Sequence, residues 1–171
     1  MEKRINGMIL RYSSIILFSL FYNLIYLILA PLTIYSSYFL ISLFYKAALS
    51  GSIISFNGKE IQLIDACISG LAYLLLLVLN LSVRMPGKKR IKSLCFSLLL
   101  FFAFNVVRIF SLSLIFASGL AFFDYLHLFF WYFGSILAVL LIWVVSMKTF
   151  RIKEIPFYGD MRYLIRKIKA K

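Results

Sequence analysis

The chain has 171 residues, 63% of them apolar and 15% charged, and a net charge of +13. So large an apolar share lies far above that of a soluble domain. The cations flank apolar runs, as the positive-inside rule expects, so the charge points to a membrane protein and not to a nucleic-acid partner.

Five apolar runs lie at about 12–31, 32–49, 63–83, 93–118 and 125–147. A span needs about 20 apolar residues to cross roughly 30 Å of hydrocarbon. The expected fold is therefore all-α, a polytopic transmembrane helix bundle of about five spans. A barrel would show short alternating segments instead. The whole chain reads as one integral membrane domain, with transmembrane helices in 1–147 and a cytoplasmic tail in 148–171. No small-residue cleavage site follows the first run, so it is not read as a removable signal peptide. Two cysteines are too few for a disulfide framework.

In the first fifty residues Pro31 marks either a tight hairpin or a break in a re-entrant segment. Two spans there put the N-terminus outside, although Lys3, Arg4 and Arg11 argue for inside. The stronger charge blocks further on decide for outside. The loop 50–62 then faces outward, and its FNGKE stretch predicts a small hairpin, since Asn-Gly favours positive φ. Next comes IDACISG (64–70), with Asp65, Cys67 and Ser69 at the head of an apolar run. The basic block RMPGKKRIK, with Arg84, Lys88, Lys89, Arg90 and Lys92, is expected in the cytoplasm. So is the tail, whose Met161, Leu164, Ile165 and Ile168 share one helical face opposite cations. That pattern predicts an interfacial helix on an anionic leaflet.

Polar groups inside spans are candidates for function because they are costly there. At 1.5 Å per residue, Cys67 lies about 25 Å above Arg84, Arg108 about 24 Å above Lys92 and His127 roughly 31 Å above Lys148. A thiol, a guanidinium and an imidazole thus reach one level at the outer edge of the hydrocarbon. Periodicity does not say whether they face one another. Cys67 falls in the first turn of its helix, where positive partial charge favours a thiolate; alone, it is as readily a small buried apolar residue. Cys95 sits near the cytoplasmic face, too far from Cys67 for a disulfide, and is expected to serve packing. Arg108 suits stabilisation of a thiolate or an oxyanion, or else snorkels to outer headgroups. Asn105 lies three residues before it, on nearly the same face. His127, the only histidine, suits proton transfer to and from sulfur, or is a wetted bystander. Asp65 and Asp124 share the outer level and would orient His127, pair with Arg108, or merely keep loops soluble.

The order of Cys67 in DACISG, then NVVRI with Asn105, Arg108 and Ile109, then His127 after FFDYL resembles the exosortase/archaeosortase family of membrane transpeptidases. The likeness covers roughly residues 50–147, and the small size resembles the short archaeal members. The family commonly shows Ala-Cys-Ser-Gly. Here Ile68 intervenes, which would turn Ser69 and Gly70 by about 100° around a continuous helix, so neither is given a role.

The resemblance implies a multi-pass cell-membrane enzyme with its site facing the extracytoplasmic side. Its substrates would be secreted proteins bearing a C-terminal motif, a transmembrane helix and a basic cluster. The new carboxyl end would pass to a lipid or another surface acceptor. Cys67 would attack the scissile carbonyl, Arg108 would stabilise the anion, and His127 would protonate the leaving amine and activate the acceptor. No cofactor is expected. One His and two separated Cys cannot build a zinc site. The main alternative is a substrate-binding membrane subunit of a small-solute uptake system. There Arg108 and His127 would line a solute pocket, Cys67 would be packing, and Lys46 would act as a buried cation for an anionic solute. A structural or assembly factor without a site is a further alternative.

Overall fold

The structure, a computed structural model, describes residues 2–152 and 154–169. The side chains of Lys3, Arg4 and Ile168 lie outside what it describes. The chain folds as the expected helical membrane bundle, in the order α1 (Glu2–Leu20), α2 (Tyr22–Ser42), β1 (Ala47–Ser50), β2 (Ile53–Phe56), β3 (Lys59–Gln62), α3 (Asp65–Ile68), α4 (Gly70–Ser82), α5 (Gly87–Ala117), α6 (Phe123–Phe129), a π-helical turn (Phe130–Gly134), α7 (Ser135–Thr149) and α8 (Tyr158–Lys169). Four segments are long and apolar enough to cross a membrane: Tyr22–Ser42, Asp65–Ser82, Gly87–Ala117 and Phe123–Thr149. A shorter apolar helix, Ile5–Leu20, accompanies them.

The bundle has two chemically different ends. At one, cations cap helix C-termini, whose last carbonyls lack intrahelical partners and carry partial negative charge. The Arg90 guanidinium donates to the Leu81 and Val83 carbonyls at 3.1 and 2.9 Å, closing α4. Lys89 donates to the Arg151 carbonyl at 3.0 Å, just past α7. A buried polar chain crosses the bundle nearby, from Asn80 Nδ2 to Ser93 at 2.9 Å and from Ser93 to Ser146 at 2.9 Å. α8 docks through Asp160, which accepts from Arg11 at 2.6 Å and from the Tyr12 hydroxyl at 3.3 Å. Met161, Leu164 and Ile165 of α8 stay exposed, the unpartnered apolar face that an interfacial helix presents.

That Arg11–Asp160 pair corrects the expectation for the N-terminus. Arg11 sits at the basic end, with the tail, whereas Tyr22 reaches Gly70 at the head of α4. The chain then continues to Ile41, which packs into the sheet. Residues 11–41 therefore run from the basic end to the other end, and the N-terminal region starts on the tail's side. No hairpin forms at Pro31, which is carried inside α2; a bundled membrane helix tolerates the missing N–H. The helix break falls at Phe21, with φ −92° and ψ 24°.

The opposite end is closed by a small antiparallel sheet in the order β1-β2-β3. The expected hairpin is present: Asn57 and Gly58 have φ of 51° and 71°, and Phe56 pairs with Lys59 across a two-residue turn. β1 was not anticipated, because Ala47–Ser50 reads as the end of an apolar run. The sheet sits on α2 and α5 through Ile41, Ile54, Phe56, Leu63 and Ile109. Lys59 fastens it, donating to the Phe116 carbonyl at 2.8 Å and lying over the Phe116 ring.

Ile54 is fully buried, so Ile54→Ala should cost about 2–5 kcal/mol, read as a lowered unfolding temperature in detergent. Ser50→Ala, at an exposed edge position, should stay within about 0.5 kcal/mol.

Candidate active site

The segment after β3 builds one wall of a cleft. Ile64 is extended, Asp65–Ile68 makes a single helical turn, and the Cys67 N–H donates to the Ile64 carbonyl at 2.8 Å. Ser69 is left-handed, with φ 58° and ψ 35°, and α4 starts only at Gly70. Such a conformation in a non-glycine residue costs about 1–3 kcal/mol and persists only where its surroundings enforce it. The inserted Ile68 is therefore not absorbed by turning a continuous helix. The helix breaks, Ile68 is buried, and Ser69 is aimed inward. Two expectations change. Cys67 does not open a long helix, so the dipole argument loses its basis. Ser69, given no role, joins the site. An added Cβ at Gly70 would lie 2.7 Å from the Tyr22 hydroxyl, so that side chain would have to shift.

α5 supplies the second wall. Asn105 is fully buried. Its Nδ2 donates to the Cys67 carbonyl at 2.9 Å and to the Ile68 carbonyl at 3.4 Å. Its Oδ1 accepts from the Ser69 hydroxyl at 3.3 Å and from Arg108 at 3.4 Å. Arg108, only 6% exposed, also donates through Nη1 to Ser135 Oγ at 2.8 Å and Ser69 Oγ at 3.2 Å. Its Nε is buried without a hydrogen-bond partner among the described residues. Ser135 follows the π turn, and its hydroxyl donates to the Phe130 carbonyl at 3.4 Å. Bulges of this kind recur at functional sites.

His127 comes from α6, stacked on Phe123 at 5.4 Å and set edge-on to Trp131 at 5.7 Å. Cys67, Arg108 and His127 line one cavity of about 230 Å³. Among the described residues neither acid is bonded to any of the three. Asp65 accepts from the Tyr26 hydroxyl and lines a separate cavity of about 410 Å³ beside Ser69, Ser135 and Trp131. Asp124 is exposed and makes no ion pair or side-chain hydrogen bond among the described residues. Cys95 is exposed on α5 rather than packed, and both thiols are free. Lys46 is exposed between α2 and β1, so it supplies no buried cation for a solute. Ser69 and Ser135 were missed because their roles depend on a helix break and a π turn; Arg108 alone signalled that buried hydroxyls must exist to meet it.

Fold and cleft together define a polytopic helical membrane protein whose late helices gather a cysteine, an arginine and a histidine. Residues 8–144 match the family model for transmembrane exosortase (Exosortase_EpsH), and the chain belongs to that family, one of membrane cysteine transpeptidases that sort proteins. Neither the curated proteins nor the solved structures yield a match.

Asn105→Ala strips donors from two carbonyls and should cost about 1–3 kcal/mol. It should also change the rate at which iodoacetamide labels Cys67. Asp65→Asn should leave that rate within about twofold, because its partner is Tyr26 and not the cleft.

Proposed function

We propose that the cleft between α3, α5 and α6 is the active site of a membrane cysteine transpeptidase that cleaves C-terminal sorting tags. The tag consists of a short motif, a transmembrane helix and a basic cluster on a secreted surface protein. The new carboxyl end passes to a lipid or another surface acceptor. The enzyme sits in the cell membrane with the cleft on the extracytoplasmic side, and its size groups it with the short archaeal members. The observation that carries this reading is the meeting of Cys67, Arg108 and His127 on one cavity, at the end opposite the basic caps of α4 and α7. Positive ends face the cytoplasm.

The chemistry follows from the groups at hand. His127 takes the Cys67 proton, and the sulfur attacks the scissile carbonyl carbon, forming a C–S bond and an oxyanion. Arg108, which lines the cleft, donates to that oxyanion; a cation held in a site shielded from water stabilises charge as it develops. The C–N bond breaks as His127 returns the proton to the leaving amine. His127 then deprotonates the acceptor, whose attack breaks the thioester and frees Cys67. A tag helix held in the same bilayer is delivered at raised effective concentration.

The test uses a secreted reporter carrying the last forty or so residues of a protein from the same genome that ends in motif, apolar helix and basic cluster. Cys67→Ala and Cys67→Ser should abolish processing, and Cys95→Ser should not. Arg108→Ala should lower the rate by about 10²–10³, with Arg108→Lys a poor substitute for the planar fork. Unchanged processing by Cys67→Ser overturns the assignment.

A further inference from the structure

The cleft has a backbone wall as well as side chains. Five consecutive residues, 60–64, line it. Side chains alternate between the faces of a strand, so five in a row cannot all point into one cavity; the strand's edge must face it. The register fixes which groups lie on that edge. Phe56 pairs with Lys59 across the two-residue turn and Ile54 with Ile61, while the Leu63 N–H donates to the Ser52 carbonyl at 2.9 Å. Lys59, Ile61 and Leu63 therefore turn their N–H and C=O groups toward β2, by the alternation of antiparallel ladders. Glu60 and Gln62 turn theirs outward. No strand follows β3 in the sheet, and among the described residues no other backbone group bonds to these two.

We infer that the substrate's scissile segment binds as an added strand along the outer edge of β3, pairing with the Glu60 and Gln62 backbone and so lying against Cys67. This rests on the transpeptidase reading and goes beyond it, because it specifies the bound conformation and a surface for recognising it. The occupant is an extended peptide for a chemical reason. Donor and acceptor recur on the edge at every second residue, a spacing that a partner strand matches and a helix or a lipid does not. The edge also continues directly into the cleft through Leu63 and Ile64. Exposed edges are usually blocked by charge or proline; of the two charges on β3, Lys59 is held at the Phe116 carbonyl, and the Glu60 carboxylate accepts from the Ser55 hydroxyl at 3.5 Å and so is drawn toward β2.

Two experiments with the secreted reporter test this. Gln62→Pro deletes an outward N–H while sparing the β2 ladder, and edge strands accept proline at such positions; Gln62→Ala keeps the N–H. Processing should fall at least about tenfold with Gln62→Pro and stay near wild type with Gln62→Ala, while iodoacetamide still labels Cys67 in both. Normal processing by Gln62→Pro overturns the inference. In the second, Gln62→Cys is placed in a Cys67→Ala, Cys95→Ala background, and single cysteines are moved along the reporter's motif. Disulfide capture should recur at every second reporter position. Capture at every third or fourth position, or none while the wild type processes the reporter, overturns strand addition. Processing that survives Cys67→Ser would instead overturn the enzyme reading itself, so the two failures are distinct.

Discussion

A guanidinium buried far along a membrane helix has to be met by something, and the site is organised around that demand. Arg108 has no carboxylate partner among the described residues. It is held by a ring of neutral oxygens: Ser69, Asn105 and Ser135. A charge in so apolar a setting costs several kcal/mol unless it is hydrogen-bonded. Two of the three oxygens arrive by a local irregularity. The left-handed Ser69 turns one hydroxyl inward, and the π turn before α7 sets another. Asn105 reaches Arg108 by ordinary helical spacing, yet the same amide also grips the Cys67 carbonyl. The position of the cation and the position of the Cys67 backbone are thereby tied through one side chain.

The two ends of the bundle use cations in opposite ways. At the basic end, Lys89 and Arg90 spend their donors on helix-end carbonyls, and Arg11 spends its own on Asp160. These cations are engaged in holding helix ends and the tail. At the sheet end, Lys59 is also consumed by a helix terminus, at Phe116. Among the described residues Arg11 and Arg108 each keep one buried nitrogen unpaired, and of the two it is Arg108 that lines the cavity shared with Cys67 and His127.

Much of this was legible in the sequence because depth is linear in residue number along a helix. Counting from the basic block and the tail put Cys67, Arg108 and His127 at one level, and they do share one cavity. The N-G turn was equally plain, since positive φ at both central residues selects those two side-chain types. What could not be read was anything decided by a kink. The Phe21 break carries no punctuating residue, whereas Pro31, the visible breaker, sits inside a continuous helix. On an unbroken helix Ile68 would turn Ser69 by about 100°, but the helix breaks at Ser69 instead. β1 is four residues of Ala, Ala, Leu and Ser, which no periodicity distinguishes from helix; its pairing with β2 decides it.

The direction in which Asp65 faces follows from the same constraint. An acid two residues from the candidate nucleophile is the obvious counter-ion for Arg108, and opposite charges in a shielded site attract strongly. A carboxylate on that guanidinium would neutralise it and occupy the donors that a developing oxyanion requires. Electrostatic stabilisation of a transition state depends on interactions that are stronger there than in the resting enzyme. The Tyr26 hydroxyl instead holds Asp65 on the far side of the Ser69–Ser135 layer, over a different cavity. Neutral hydroxyls and an amide then solvate Arg108 without cancelling its charge. An arginine so arranged is more useful to a reaction that creates an anion than one locked in a salt bridge, and the inward turn of Ser69 is what makes that arrangement possible.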